Sequence, residues 1–553
     1  MIDQSPSVSP SSRGQVLLLA LTLLLLLPFS GKPFHVDDML FISAAKQIVQ
    51  HPLNPYGFHI SWYAVEMPMA EVTKNPPLSS YYGALVGVVF GWSERAWHFA
   101  FVVPVLAAIL GIRRLATHFT KNALLAAVLT LLTPVFLLSA TGVMCDAMML
   151  AFWVWAAVLW IESLDPEKPS QLAASALLIA AAALTKYFGA SLIVLIFAYS
   201  LLRKRRVGLW ALYLLIPIVC LVAYHFWTYA LYGRGLLADA AVYARFKPEN
   251  QRLPLFAQSV IGLSFLGGCV LPALVLSPLL WSRKLRLAGA ALSGLAVFPV
   301  AAHWVPLTTH VPSQNWAWMN VELALFIAGG ISLVALALRD LWEQKDANSA
   351  FLVLWVLGTF FFAGFLNWSA NGRSILPLVP AAAILIARRF ERVQRPAAWK
   401  LALPLLAAGV VSLWIACGDT AWARSARDAA SMIRKETQNR TVWFAGHWGF
   451  QYYLQALGGR PVDIRTFSSN YQSGDFIAIP KNNTNTFDLA PEVVASRQII
   501  ELPINRRTAT MCPELGAGFY SSVWGPLPFA FGPVTPERYQ LLELTKPAAT
   551  EAH

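Results

Sequence analysis

Long apolar runs alternate with short polar breaks over roughly the first four hundred residues of the chain, and then the pattern stops. Runs of about 15 to 25 apolar residues have the length of membrane-spanning helices. They are continuous in Leu, Ala and Val, without the ten-residue alternation of barrel strands, so they predict helices. Thirteen runs read as spans: 16–30, 95–112, 122–140, 147–162, 171–185, 188–202, 208–231, 256–281, 287–305, 320–338, 350–366, 374–387 and 399–416. Residues 76–91 are also apolar, but Pro76, Pro77 and several glycines interrupt them, which predicts a helix lying at the outer interface. The first run follows Arg13 as a leader peptide would. Pro28–Gly31 offers no small-x-small cleavage site, so the run reads as a retained span.

Charge decides the threading. Arg113, Arg114 and Lys121, the run Arg203–Arg206, Arg283, Lys284 and Arg286, and Arg388, Arg389, Arg392 and Arg395 fall on one side. By the positive-inside rule that side is cytoplasmic. The first outer loop, 31–75, then lies outside. So do Thr141–Asp146, the segment 232–254 with Lys247, the Trp-rich loop Pro306–Met319, and Asn367–Arg373. Passing 76–91 through the membrane would put Arg113 and Arg114 outside, so an odd count of spans is expected. Residues 1–417 form the membrane unit, and 418–553 form a small outer α/β domain. Within the latter, Thr441–Ala445 and Phe476–Ile479 read as strands and Phe450–Leu457 as a helix. The expected fold class is an all-α polytopic membrane protein with this appended domain.

Composition agrees. Hydrophobic residues make up 57% and charged residues 13% of 553, against about 25% charged in soluble domains. A net charge of +13 would suit nucleic-acid binding in a soluble protein, but short clusters in loops between spans account for it here. The five cysteines are scattered without metal-like spacing. There is no phosphate-binding P-loop, no dinucleotide fingerprint and no transporter-type internal repeat.

The outer segments carry the candidate chemistry. Asp37 and Asp38 open an amphipathic helix, and Asp146 opens the fourth span. Each has a plain reading as a helix cap, yet two adjacent acids exceed what a cap needs, and carboxylates near hydrocarbon are costly unless used. Lys74, Lys186 and Arg245 sit at outer helix ends or loops, where snorkelling or solvation is the plain reading. Together they could serve another purpose: carboxylates deprotonate hydroxyls or hold a metal, and cations grip phosphate. Trp448, Tyr452 and Tyr453 could stack on an acceptor, although packing of the small domain is the plainer account.

In this order the residues resemble a family. Asp37-Asp38, then Lys74 before Pro76-Pro77-Leu78 and the interfacial helix ending Phe90-Gly91, then Asp146, Thr185-Lys186, Arg245-Phe246 and Gly372–Pro377 are similar to elements of the GT-C glycosyltransferases that use lipid-linked sugars. The likeness is to the protein O-mannosyltransferase and aminoarabinose transferase group and covers about 16–390. It implies a GT-C fold of about thirteen transmembrane helices and a polyprenyl-phosphate-linked sugar donor used outside the plasma membrane. Asp37 would be the catalytic carboxylate, with Asp38 beside it and Asp146 in support. Lys74 and Arg245 would grip the donor phosphate, assisted by Lys186 and Arg373. The family's acidic pair is most often Asp-Glu and here is Asp-Asp. Thr73 stands where the aminoarabinose branch has glutamate, so metal use stays open, with Asp37, Asp38 and Asp146 as the possible ligands. Two other readings are weighed beside it. A transporter or flippase would use His225 and His303 within spans, and a scaffold would use only the outer domain.

Overall fold

The computed structural model describes residues 12–246, 252–308, 316–393, 398–438 and 440–546. Lys247, Arg395 and the middle of the Trp-rich loop, 309–315, lie outside them. Each of the thirteen apolar runs is occupied by helix. The first is α1, Ser12–Leu26. The outer loop then holds α2, Asp38–Gln50, and the apolar run with two prolines is α3, Leu78–Phe90. The next runs hold α4, Glu94–Ala116, the pair α5, Ala123–Leu131, and α6, Pro134–Ala140, then α7, Asp146–Leu164, α8, Pro169–Thr185, and α9, Ser191–Lys204. They are followed by α10, Leu215–Tyr232, α11, Leu236–Arg245, in the outer segment, α12, Leu255–Cys269, and α13, Arg283–Ala301. The series closes with α14, Trp316–Gln344, α15, Ala347–Phe361, α16, Val379–Arg392, and α17, Ala398–Glu436. Among the described residues eight helices are long and apolar enough to cross a membrane, or nine if α5 and α6, bent by 68°, count as one span. Pro134, at the first position of α6, lacks the N–H that would continue the α5 ladder. This is an integral membrane protein.

Small residues bring the helices close, as in membrane packing generally. A Cβ on Gly267 of α12 would lie 1.8 Å from the Phe326 carbonyl oxygen of α14. The outward faces are apolar, with Val219, Val222 and Phe226 of α10 and Leu292, Leu295 and Phe298 of α13 exposed. On α3, Leu85, Val88, Val89 and Phe90 face out while Gly83, Ala84, Val86 and Gly87 are covered.

The basic clusters meet at one end of the helices. There Arg114 pairs with Glu162 at 2.6 Å, Lys204 with Asp165 at 2.5 Å and Arg392 with Asp340 at 2.6 Å, and Glu391 accepts from the Thr120 hydroxyl at 2.6 Å. The outer-segment carboxylates gather at the opposite end.

The polar C-terminal region contains a five-stranded mixed sheet. Its strands are β3, Val442–Phe444, β4, Arg460–Pro461, β5, Phe476–Pro480, β6, Val494–Leu502, and β7, Glu537–Leu544, in the order β4-β3-β5-β7-β6. Two short two-stranded pairs, Thr508–Ala509 with Ala530–Phe531 and Met511–Cys512 with Ala517–Gly518, also lie there, and the first outer loop supplies a hairpin, β1, His59–Trp62, and β2, Val65–Pro68. The position 417/418 falls inside α17, whose 39 residues make a rod of roughly 58 Å. That is about twice the hydrocarbon thickness of roughly 30 Å, so much of α17 carries the sheet away from the apolar layer. Not all of the C-terminal region is remote. Leu515, Phe519, Leu527 and Phe529 pack into the same apolar core as the spans.

Candidate active site

A cavity of about 840 Å³ lies at the end of the helices that collects the outer segments. α2 forms one wall. Its residues 37, 40, 41 and 44 face the cavity, which is the spacing of one helical face. Asp37 stands at the N-cap of α2, but its side chain makes no capping bond. Its Oδ2 instead accepts from Arg373 Nη1 at 3.0 Å. Arg373 Nε donates to Asp146 Oδ2 at 2.8 Å, and Lys186 Nζ donates to Asp146 Oδ1 at 2.5 Å. Four of the expected residues, from four separate segments, thus form one charge cluster.

The three carboxylates differ. The Asp146 side chain is 2% exposed and saturated by two cations. Asp38 is buried and turned away from the cavity, accepting from the backbone N–H of His35 at 2.8 Å and of Val143 at 3.3 Å. Burial pushes its pKa up to about 7, against the pull of those donors and of Lys32. Asp38 thus does not line the cavity beside Asp37, because consecutive helical residues point to different faces, and it ties two loops together. Asp37, 31% exposed, is the one carboxylate of the three that lines the cavity. The three do not converge on a point. Among the described residues no group of three or more His, Cys, Asp or Glu side chains could hold a metal ion.

Lys186 and Arg373 keep donors to spare. Arginine has five N–H groups and lysine three, and the cluster uses two and one of them. Lys74 also lines the cavity, donating to the Glu71 carbonyl at 2.5 Å with its ammonium 5.2 Å from the centre of the Tyr243 ring. Burial lowers its pKa, and Arg234 adds to the effect. Arg245 does not join them. Tyr243 and Ala244 of α11 line the cavity, and the next residue, Arg245, is exposed.

Below this polar end the walls are apolar. Trp153, Phe188, Leu195, Trp355 and Phe362 line them, and so do Val194 of α9 and Leu354 of α15, which are 71% and 45% exposed. The cavity therefore opens sideways among lipid-facing helices.

Sequence reasoning missed a second cluster. Asp419 of α17 is fully buried and pairs with Lys32 at 2.6 Å. It also accepts from the Thr510 hydroxyl at 2.7 Å and from Tyr520 at 3.0 Å. Tyr520 lines the cavity, so this cluster fixes the C-terminal segment against the site. A charge at the end of an apolar run was the available signal. Trp448 and Tyr452 pack. Trp448 lies 5.8 Å from the Trp422 ring and Tyr452 5.2 Å from Phe34. Tyr453 accepts from the Phe34 N–H at 2.7 Å. His303 stacks on Trp316 at 4.8 Å, and His225 lies edge-on to Phe226 at 5.5 Å.

Fold and site together define a polytopic membrane protein with a laterally open, cation-rimmed cavity at one end of its helices. Residues 74–229 match the model of the dolichyl-phosphate-mannose-protein mannosyltransferase family. That match agrees with the resemblance carried by Lys74, Asp146 and Lys186. No curated relative matches the sequence. Among solved structures, the archaeal oligosaccharyltransferase AglB from Archaeoglobus fulgidus, in complex with an inhibitory peptide and a dolichol-phosphate, is similar at 13% identity and TM-score 0.49, over 84% of this chain and 69% of that one. ArnT from Cupriavidus metallidurans bound to undecaprenyl phosphate is similar at 16% identity and TM-score 0.45, over 85% and 94%. The mycobacterial arabinofuranosyltransferase AftD is similar at 16% identity and TM-score 0.40, over 98% and 42%.

Proposed function

We propose that this protein is a membrane glycosyltransferase that moves a sugar from a polyprenyl-phosphate donor to an acceptor hydroxyl. The proposed site and the C-terminal domain face the extracytoplasmic side of the plasma membrane. One observation carries the reading: a single cavity joins a cation-rimmed polar end holding one accessible carboxylate to an apolar, laterally open lower half. A lipid phosphate has that same division of character. The family match over 74–229 supports the same reading.

In the proposed reaction Asp37 accepts the proton of the acceptor hydroxyl as its oxygen attacks the anomeric carbon. The bond from that carbon to the phosphate oxygen breaks, and its electron pair leaves with the lipid phosphate. Lys74, Lys186 and Arg373 hold that group as its charge grows. Asp146 positions Lys186 and Arg373. Arg245, Trp448 and Tyr452 receive no part in this step. A single displacement inverts the anomeric centre.

The test is transfer of radiolabelled sugar in proteoliposomes from a panel of polyprenyl-phosphate sugars, with native membrane extract as acceptor. Wild type transfers label, and Asp37→Asn at equal abundance loses at least a hundredfold, the low end for general-base removal. Equal transfer by both removes Asp37 from the chemistry. No transfer by wild type from any donor overturns the donor class.

A further inference from the structure

Phosphate chemistry leaves one feature of the cavity unexplained. Around its polar end stand four aromatic side chains from three distant segments: Trp62, Tyr63, Tyr243 and Trp368. They form a band: Tyr63 lies close enough to Tyr243 to influence its hydroxyl, and the Tyr243 and Trp368 rings are 6.0 Å apart at 62°. The band touches the phosphate-holding cations at Lys74, whose ammonium sits over Tyr243. Two amides, Asn75 and Asn371, also line the cavity.

The band is held in place from outside. The imidazole of His447 stacks on the Trp62 indole, centres 4.4 Å apart and planes at 19°. His447 is itself fixed, with Nδ1 3.0 Å from Gln451 Oε1 and its backbone N–H donating to Asn483 Oδ1 at 2.8 Å. Gln451 Nε2 donates to the carbonyl of Ser61, one residue before Trp62, at 3.1 Å. Burial lowers the His447 pKa to about 4, so the stacked ring is neutral at ordinary pH. One indole face is thus covered, and the other side of the ring is what the cavity can use.

The hairpin tip makes the same point. Tyr63 and Ala64 have φ of 55° and 58°. Two-residue turns of this kind usually place Asn and Gly there, because side chains are strained at positive φ. Here a tyrosine is kept at the strained position, 48% exposed, and serves no core. The turn is clamped by the C-terminal region, with the Ile464 N–H donating to the Ala64 carbonyl at 3.0 Å and the Glu66 N–H to Asp463 Oδ2 at 3.0 Å.

A sugar ring has an apolar face of C–H groups and a rim of hydroxyls. Aromatic planes beside amides suit both, since aromatic rings pair an apolar body with a polar handle. We propose that Trp62, Tyr63, Tyr243 and Trp368 form a sugar-ring subsite above the phosphate-holding cations, and that His447 is a positioning residue which sets the Trp62 indole. The proposal rests on reading the cavity as a lipid-phosphate glycosyltransferase site. The ring it holds comes from the donor or from the acceptor.

The experiment measures binding to the full chain in nanodiscs. The probes are bare polyprenyl phosphate, the same lipid bearing a mannosyl, glucosyl or arabinosyl group, and the matching free trisaccharides. Trp62→Ala weakens a sugar-bearing probe at least tenfold and leaves bare polyprenyl phosphate within twofold. Loss on the lipid-linked sugar assigns the ring to the donor, and loss on a trisaccharide assigns it to the acceptor. Tyr63→Asn, which suits the turn and so guards against misfolding, weakens the same probe. His447→Phe keeps a ring behind the indole and retains affinity, whereas His447→Ala does not. If Trp62→Ala leaves every sugar-bearing probe within twofold of wild type, or wild type gains nothing from any sugar, the subsite is overturned. Wild type that holds a trisaccharide but no polyprenyl phosphate refutes the donor reading and leaves the subsite standing.

Discussion

Asp37 and Asp146 share Arg373, yet their replacement by asparagine should fail in different ways. Asp146 is 2% exposed and holds both Lys186 and Arg373. Breaking a buried pair from one side costs about 3–5 kcal/mol, because the remaining charge stays buried without its partner. The cost is reduced here: asparagine keeps one oxygen acceptor, Lys186 and Arg373 are 17% and 12% exposed, and Arg373 retains Asp37. About 2–4 kcal/mol remains, which for a chain of this length lowers the melting temperature by roughly 2–3 °C. The Asp37 pair is 31% exposed on the carboxylate side, and pairs of that kind contribute about 1 kcal/mol or less. Asp37→Asn should therefore melt within about 1 °C of wild type while losing turnover by about 10² to 10⁴, or roughly 3–5 kcal/mol of barrier. The assay follows intrinsic fluorescence on heating in detergent, at low salt and at high salt, alongside label transfer. The Asp146→Asn deficit should survive high salt, because buried charges are weakly screened. Asp146→Asn melting with wild type, or Asp37→Asn melting as low as Asp146→Asn, would refute the division of roles.

Three further outcomes follow from other parts of the structure. Asp38 holds its proton up to about pH 7 in the fold and up to about 4 when unfolded. The folded state thus binds the extra proton, so the stability that Asp38 itself contributes is full below about pH 4 and is lost as pH rises toward 7. Asp38→Asn should flatten that decline in a pH series of thermal melts, and an unchanged slope would show that Asp38 does not cause it. Ala64→Gly should stabilise the β1–β2 turn by about 1 kcal/mol, because a left-handed residue with a side chain costs about 1–2 kcal/mol, and a lowered melting temperature would count against strain at φ 58°. Lys32→Met should destabilise by about 3–5 kcal/mol, since it strands the fully buried Asp419, and a wild-type melting curve would show that pair to be dispensable.

The helices were legible because a span leaves a long, one-dimensional signal. Even the break between α5 and α6 has a visible cause in Pro134. The small sheet was partly legible: Val442–Phe444, Phe476–Pro480 and Trp448–Ala456 fall within a residue or two of the segments expected. Of the site, the charge cluster was foreseen through an ordered set of outer residues. What escaped depends on contacts that no window contains. Lys32 and Asp419 are 387 positions apart, and Asp419 sits where returning polarity makes a charge look solvent-facing. The β1–β2 hairpin has four-residue strands, too short for alternation to stand out within 31–75. Arg245 was chosen for its charge and its place in an outer segment, but helical phase decided otherwise, turning Tyr243 inward and Arg245 out.

Charge balance explains why the proposed site uses three cations with two carboxylates. Lys74, Lys186 and Arg373 against Asp37 and Asp146 leave a surplus of one positive charge. A lipid-phosphate sugar is a phosphodiester and carries one negative charge, so the loaded cavity is neutral. In the proposed transfer the acceptor proton moves to Asp37, which raises the surplus by one, while the departing lipid phosphate gains one negative charge. The two changes cancel at every stage, so no net charge has to develop in a site whose lower half is apolar. The coupling also makes Asp37 more than a proton acceptor. While ionised it holds Arg373 at 3.0 Å. Once protonated it pulls less strongly on that guanidinium, which is then free to turn toward the phosphate when its charge is greatest. Interactions that strengthen only as the transition state forms raise turnover without tightening substrate binding. Asp37→Asn, which mimics the neutral state permanently, should therefore hold lipid phosphate at least as tightly as wild type while failing to transfer. Measured by binding of bare polyprenyl phosphate in nanodiscs, a weaker affinity in Asp37→Asn would show that Arg373 does not act on the phosphate in this way.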